Sequence, residues 1–160
     1  MRRVLITGMS GVGKSTVIEE LRKRGYRAVD LDRPEWSEYR RADDSEGGEV
    51  EWMWREDEVA ELLDLEEGDL LIVSGCASNQ GRFYPRLDQV ILLSADLDVM
   101  RQRLERRTNN EFGKDPAEFA RIVADKENVE PRLRRGAHVE IDASQPLDVV
   151  VGQILEAVDR

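Results

Sequence analysis

Apolar residues along the chain fall into short blocks separated by polar and charged stretches. Val4-Leu5-Ile6-Thr7, Leu70-Leu71-Ile72-Val73 and Val90-Ile91-Leu92-Leu93 are compact runs without alternation, the pattern of strands buried on both faces. Ala28-Val29-Asp30-Leu31-Asp32 and His138 to Ile141 read as two further strands. Between these runs the spacing becomes helical. Ser15 to Arg24 puts Val17, Ile18 and Leu21 on one side and stops before Gly25. About Asp96 to Arg107 sets Leu97, Met100 and Leu104 on one face, acidic in its first turn and arginine-rich in its last, as the helix dipole favours. Asp115-Pro116-Ala117-Glu118 opens another helix, with Asp as N-cap and Pro at the first position. Phe119, Ile122, Val129 and Leu133 continue its face, and Pro131 should interrupt it. Leu147 to Val158 reads as a terminal helix, and Trp52 to Leu65 as a helix whose apolar members are Trp52, Val59, Leu62 and Leu63. The polar stretch from Arg33 to Gly48 receives no assignment. No repeat or low-complexity segment is present. Five strands alternating with helices predict an α/β fold, a parallel sheet covered on both faces.

Composition narrows the class. A chain of 160 residues suits one domain over 1–160, and its 40% hydrophobic content is enough for a core. No apolar run approaches the roughly 18–20 residues that span a bilayer, and the start MRRVLITGMSG is too short in apolar residues for a signal peptide. A cytoplasmic protein is expected. The single cysteine, Cys76, excludes an intrachain disulfide or a cysteine-built zinc site and reads as a small buried residue; His138, the one histidine, reads as structural. The net charge of −10 argues against general binding of a nucleic-acid backbone. That charge is unevenly placed: Asp32 to Asp69 holds 16 acidic and 4 basic residues, and the remainder is close to neutral.

One motif carries chemistry. Gly8-Met9-Ser10-Gly11-Val12-Gly13-Lys14-Ser15, followed by Thr16, fits G-x-x-x-x-G-K-[ST]. It follows an apolar strand and opens an amphipathic helix, the context in which backbone N–H groups and a helix N-terminus cradle phosphates. Lys14 is placed to bridge terminal phosphates and the Ser15 hydroxyl to bind Mg²⁺. No N-K-x-D segment for guanine is present, and Asp44-Ser45-Glu46-Gly47 matches D-x-x-G without a preceding strand. Neither Leu70–Val73 nor Val90–Leu93 ends in the acidic residue of a mechanical ATPase. A compact phosphotransferase remains.

Over nearly its whole length the sequence resembles the small P-loop kinases of metabolites and nucleotides, close to shikimate kinase and more distantly to adenylate kinase. The resemblance implies a three-layer α/β/α sandwich with a five-stranded parallel sheet in the order 2-3-1-4-5, an acceptor segment over about 33–68 and a small lid over about 107–116. Val29-Asp30-Leu31-Asp32 is similar to the Asp-x-Asp that ends the family's second strand, which implies that Asp30 supports Mg²⁺ and that Asp32 orients the acceptor and takes its proton. Ser74-Gly75-Cys76-Ala77-Ser78-Asn79 stands where the family has a glycine-rich acceptor loop, with one of three glycines kept; Gly75 and Asn79 become acceptor-side candidates. Arg103-Leu104-Glu105-Arg106, with Arg107 next, resembles the helix end leading into the lid, implying Arg107 as the lid arginine and Arg103 as packing near adenine. Glu130-Pro131-Arg132-Leu133-Arg134-Arg135 falls where an arginine reaches the phosphates or acceptor, with Arg132 as candidate. Asp142-Ala143-Ser144-Gln145-Pro146 corresponds to the loop at the adenine edge, through Ser144.

The acceptor segment contains all three tryptophans, Trp36, Trp52 and Trp54, together with Tyr39, Arg40 and Arg41. Trp54 is a candidate to stack on an acceptor ring and Arg40 to pair its acidic group, while Trp52 reads as an anchor to the core. The expectation is an ATP- and Mg²⁺-dependent small-molecule kinase, shikimate kinase-like and monomeric. Alternatives are a nucleoside or nucleoside monophosphate kinase, and a nucleotide-binding regulatory protein that hydrolyses slowly or not at all.

Overall fold

The computed structural model describes residues 1–41, 50–108 and 111–160; Asp44–Gly47 and Asn109–Asn110 lie outside the described residues. The chain runs β1 (Arg2–Thr7), α1 (Lys14–Lys23), β2 (Ala28–Asp30), β3 (Ser37–Arg41), β4 (Val50–Trp54), α2 (Glu56–Leu63), β5 (Leu70–Ser74), a 3-10 stretch (Gln80–Arg86), β6 (Gln89–Ser94), α3 (Leu97–Arg106), α4 (Pro116–Asn128), α5 (Glu130–Gly136), β7 (Val139–Asp142) and α6 (Leu147–Val158). β2, β5, β1, β6 and β7 form, in that spatial order, a parallel sheet. Counted among themselves these strands stand 2-3-1-4-5, as the resemblance implies.

Alternation along the strands builds a core on each face. Val4 and Ile6 of β1 and Ile72 of β5 join Val17, Ile18, Leu21, Leu104 and Ile154 in one apolar cluster. Leu5, Leu71 and Val73 point the other way, onto Val59, Leu62 and Leu63 of α2 and onto Trp54 and Phe83. Full burial of one such side chain is worth about 1.5–3 kcal/mol, so a central strand buried on both faces is where the sheet gains most. Because the strands are parallel, Thr7, Asp30, Ser74, Ser94 and Asp142 all end on the same edge, and the loops that follow them meet there.

One sequence expectation changes. Trp52 lies in a strand, not at the start of a helix. Ser37–Arg41 and Val50–Trp54 pair antiparallel, with Tyr39 opposite Trp52 and Arg40 opposite Glu51, and the helix begins only at Glu56. The alternation Val50, Trp52, Trp54 against Glu51, Met53 is a two-residue period, which suits a half-buried strand. The helical pattern through Leu133 breaks at Val129, where α4 gives way to α5 with Pro131 in its first turn, the position at which proline's missing N–H costs nothing. The start at Asp115 holds: its Oδ1 accepts the Ala117 N–H at 2.7 Å.

Trp54 is 1% exposed, rests at 5.6 Å from the Phe83 ring, and among the described residues its indole nitrogen has no hydrogen-bond partner. It serves as core in this position, so the stacking role expected for it does not match its burial. Trp54→Phe, which removes an unpaired donor and keeps an aromatic ring, should stay within about 1 kcal/mol of wild-type stability, whereas Trp54→Ala should cost about 3–5 kcal/mol. Urea unfolding of the three proteins checks this.

Candidate active site

The loop between β1 and α1 is shaped by its glycines. Gly8, Gly11 and Gly13 all take positive φ, and a methyl group on Gly8 would stand 2.4 Å from the Leu93 carbonyl oxygen. Lys14, the first residue of α1, is buried, and its ammonium donates to the carbonyl oxygens of Gly8 at 2.6 Å and Met9 at 3.2 Å. The same ammonium stands 3.9 Å from Oδ2 of Asp32. Ser15 donates to Oδ2 of Asp30 at 2.9 Å, and the other Asp30 oxygen accepts the Asp32 N–H at 3.0 Å. Lys14, Ser15, Asp30 and Asp32 are thus one cluster, while Met9 and Val12 are buried in the loop and Ser10 and Thr16 are its more open members.

Asp30 pairs in register with Ser74 of β5, so the two side chains share a face of the sheet. The Ser74 hydroxyl is buried with no partner among the described residues. Hard oxygen donors from Ser15, Asp30 and Ser74 beside a phosphate loop fit Mg²⁺ in chemistry. Among the described residues no group of three His, Cys, Asp or Glu could hold a metal ion.

Asp32 sits just past the end of β2, its side chain 29% exposed. Its Oδ1 accepts the Cys76 backbone N–H at 3.1 Å and the Trp52 indole N–H at 3.3 Å. Burial raises its pKa above the ordinary carboxylate value, with Asp30 adding to the rise; Lys14 and the two N–H donors oppose it. Gly75 lets Trp54 and Asp32 pack close to the backbone here, since a Cβ would come to 3.0 Å from the Trp54 indole nitrogen and 3.2 Å from Asp32 Oδ1. Burial pushes the Cys76 thiol up to about 11, so it stays protonated at neutral pH and offers no nucleophile.

Arg103 bridges two parts of the nucleotide side. Its guanidinium donates to the Val12 carbonyl at 2.8 Å and to the Ala143 carbonyl at 2.5 Å. The arginine is a brace between the glycine loop and the loop after β7. Ser144 follows in that loop, exposed, its N–H donated to Asp142 at 2.9 Å. Arg107 caps α3 and its guanidinium donates to the Phe112 carbonyl. The described part of the expected lid is packed down: Gly113 is buried, with Leu104 and Ile122 filling the space where a Cβ would go.

The acceptor-side candidates divide. Arg40 lies on the face of the β3–β4 hairpin opposite Trp52, its guanidinium on the Met53 sulfur at 3.6 Å. That alternation turns it away from Asp32. Asn79 is buried and spent on backbone: its side-chain oxygen accepts the Trp54 N–H at 2.9 Å and its amide donates to the Trp54 carbonyl at 3.0 Å, and it seals the edge of β4. Arg132 is exposed on α5, with no bond to the glycine loop or Asp32 among the described residues. Its neighbour Arg134 is engaged by Glu130 and Glu140. Trp52 and the Cys76 N–H are the contacts to Asp32 that the motifs left unnoticed; the two-residue period around Trp52 was the available signal.

A glycine-rich loop between a central parallel strand and the following helix, with lysine, serine and paired carboxylates at the strand ends, defines a P-loop α/β protein. The chain belongs to the AAA domain family, whose model matches residues 4–133. Its fold is shared with a shikimate kinase from Bacteroides thetaiotaomicron (TM-score 0.68, 20% identity, 99% of each chain). It is shared too with a shikimate kinase from Acinetobacter baumannii (TM-score 0.67, 19% identity, 99% of this chain and 93% of that one). A gluconokinase from Sinorhizobium meliloti 1021 has a TM-score of 0.58 at 19% identity, over 99% of this chain and 92% of its own. No curated protein matches in sequence. Among the described residues no helix is long and apolar enough to cross a membrane.

Asn79→Ala leaves a buried N–H and a buried carbonyl of Trp54 unpaired, and should lower the unfolding free energy by about 1–3 kcal/mol. Denaturant titration with an unchanged m-value is the measurement; a stability equal to wild type would return Asn79 to the acceptor-binding role.

Proposed function

We propose that this chain is an ATP-dependent kinase of a small hydroxyl-bearing acceptor. The observation that carries the reading is the placement of the Lys14 ammonium and the Asp32 carboxylate 3.9 Å apart beside the glycine loop. A lysine that neutralises charge on the transferring group and a carboxylate that orients a hydroxyl are the two functions phosphoryl transfer asks of a protein. The acceptor oxygen attacks the γ-phosphorus of ATP, the bond to the β-phosphate oxygen breaks to release ADP, and the hydroxyl proton passes to Asp32 Oδ2. The upward shift of the Asp32 carboxyl makes it a better proton acceptor than an exposed aspartate. Met9 to Thr16 supply the phosphate cradle, and Arg103 and Ser144 frame its adenine side. Mg²⁺, held through Ser15 and Asp30, supplies positive charge to the phosphate oxygens when bound. Arg107, at the end of α3, would serve the lid segment over about 107–116.

The kinases that share the fold support this reading, with a nucleoside or nucleoside monophosphate as the alternative acceptor. Arg55 is paired with Glu38 at 2.8 Å and Arg82 with Glu56 at 2.5 Å, while Arg33, Arg40 and Arg41 are exposed.

ATP consumption should be stimulated by at least one member of a panel of hydroxy acids, sugars, nucleosides and nucleoside monophosphates. ATP binding without stimulation across the panel would identify a nucleotide-binding regulator. With the fastest panel acceptor, Lys14→Ala should lower turnover by about 10²–10³-fold while circular dichroism shows an intact fold. Asp32→Asn should lose turnover with ATP affinity held within about twofold. Wild-type turnover in either variant refutes its assigned role.

A further inference from the structure

We propose that Trp52 is a positioning residue, whose indole N–H joins the Cys76 backbone N–H in holding one oxygen of Asp32, so that only Oδ2 is presented to the reacting centre. This role rests on the kinase reading above. The terminal torsion of an aspartate is soft and two-fold, so a carboxylate tethered only through its Cβ offers either oxygen. Here two donors from different parts of the chain converge on Oδ1, Cys76 at 3.1 Å from the turn after β5 and Trp52 at 3.3 Å from the hairpin. Oδ2 is left beside Lys14. Neither donor alone fixes the plane of the group; together they do, and the productive oxygen is chosen before an acceptor arrives.

Trp52 is itself held. Its carbonyl accepts the Ser78 N–H at 3.0 Å and the Ser78 hydroxyl at 3.4 Å, and its ring lies 4.8 Å from that of Tyr39 at a 60° tilt. The donor therefore stands on a short, doubly supported strand. Gly75 preserves the gap between the Trp54 ring and Asp32 through which the arrangement fits. A tryptophan that only filled space would have no reason to aim its one polar atom at a half-buried carboxylate while the neighbouring Trp54 leaves its own indole nitrogen unpaired.

Trp52→Phe in the full chain removes the N–H and keeps the ring. With the panel acceptor that gives the fastest wild-type turnover, kcat should fall about tenfold, equivalent to about 1.4 kcal/mol. KM for ATP and for that acceptor should stay within about twofold, and the thermal midpoint should be unchanged. In ¹H–¹⁵N spectra the three tryptophans give three indole signals, and the one missing from Trp52→Phe identifies Trp52. In Asp32→Ala that signal should shift and its hydrogen exchange should quicken about tenfold. An indole signal indifferent to Asp32→Ala overturns the contact, and an unchanged kcat overturns the role. A loss confined to KM or to the thermal midpoint assigns Trp52 to structure alone and also overturns it. A wild-type protein with no acceptor-stimulated turnover sinks the kinase reading and this role with it, while the spectra still decide the contact.

Discussion

A methyl group added to Gly8 would stand 2.4 Å from the carbonyl oxygen of Leu93, closer than any side chain permits. That approach is possible because β1 lies between β5 and β6 in parallel register, so the chain leaves β1 beside the end of β6. The rest of the nucleotide side is placed from there. Lys14 folds back onto the carbonyls of Gly8 and Met9, α1 starts beneath the loop, and the backbone of α3 at Met100 lies against Gly11. With α3 in that position, Arg103 reaches both Val12 and Ala143. The loop's own anchors are Met9 and Val12 in the core, and its three glycines add no packing, so the bracing by α3 and Arg103 completes its support.

The two sides of the site use different materials. In the proposed kinase, phosphate recognition falls to main-chain groups, one lysine and a helix end, which tolerate an acidic protein around them because their field is local. The opposite side combines Asp32, just past β2, with a hairpin in the most acidic stretch, where 16 acidic residues face 4 basic ones between Asp32 and Asp69. Net charge over the whole chain is therefore a poor guide to its ligand. What matters near Asp32 is the opposing influence of Lys14 and Asp30 on its carboxyl; among the arginines of the segment, Arg55 is paired with Glu38 and Arg40 rests on Met53.

Legibility in the sequence followed the range of the interactions. The three central strands, β5, β1 and β6, were readable because each buries both faces and so carries an unbroken apolar run, and the glycine loop because its glycines answer a backbone requirement. Val129 to Pro131 was readable as a break for the same local reason. The hairpin was not, since β3 reads Ser-Glu-Tyr-Arg-Arg, polar enough to pass for loop until Val50–Trp54 is seen opposite. Arg40, Trp54 and Asn79 were assigned by residue type to an acceptor, and their directions depend on that unseen pairing. One step of alternation separates Trp52 from Met53, and it decides which side chain meets Asp32. Arg103 was found by its helix pattern, but its partners lie 91 and 40 residues away, beyond any local signal.

The hairpin shares no backbone pairing with the large sheet; β3 and β4 form a sheet of their own, joined to the body through Asn79, Ser78 and the Trp54 side chain. This gives the molecule a modular seam. The glycine loop and Asp32 both belong to the large-sheet side of it, and the hairpin meets Asp32 through the Trp52 indole N–H. A change within the hairpin would therefore reach Asp32 through that contact while leaving the glycine loop's own hydrogen bonds in place.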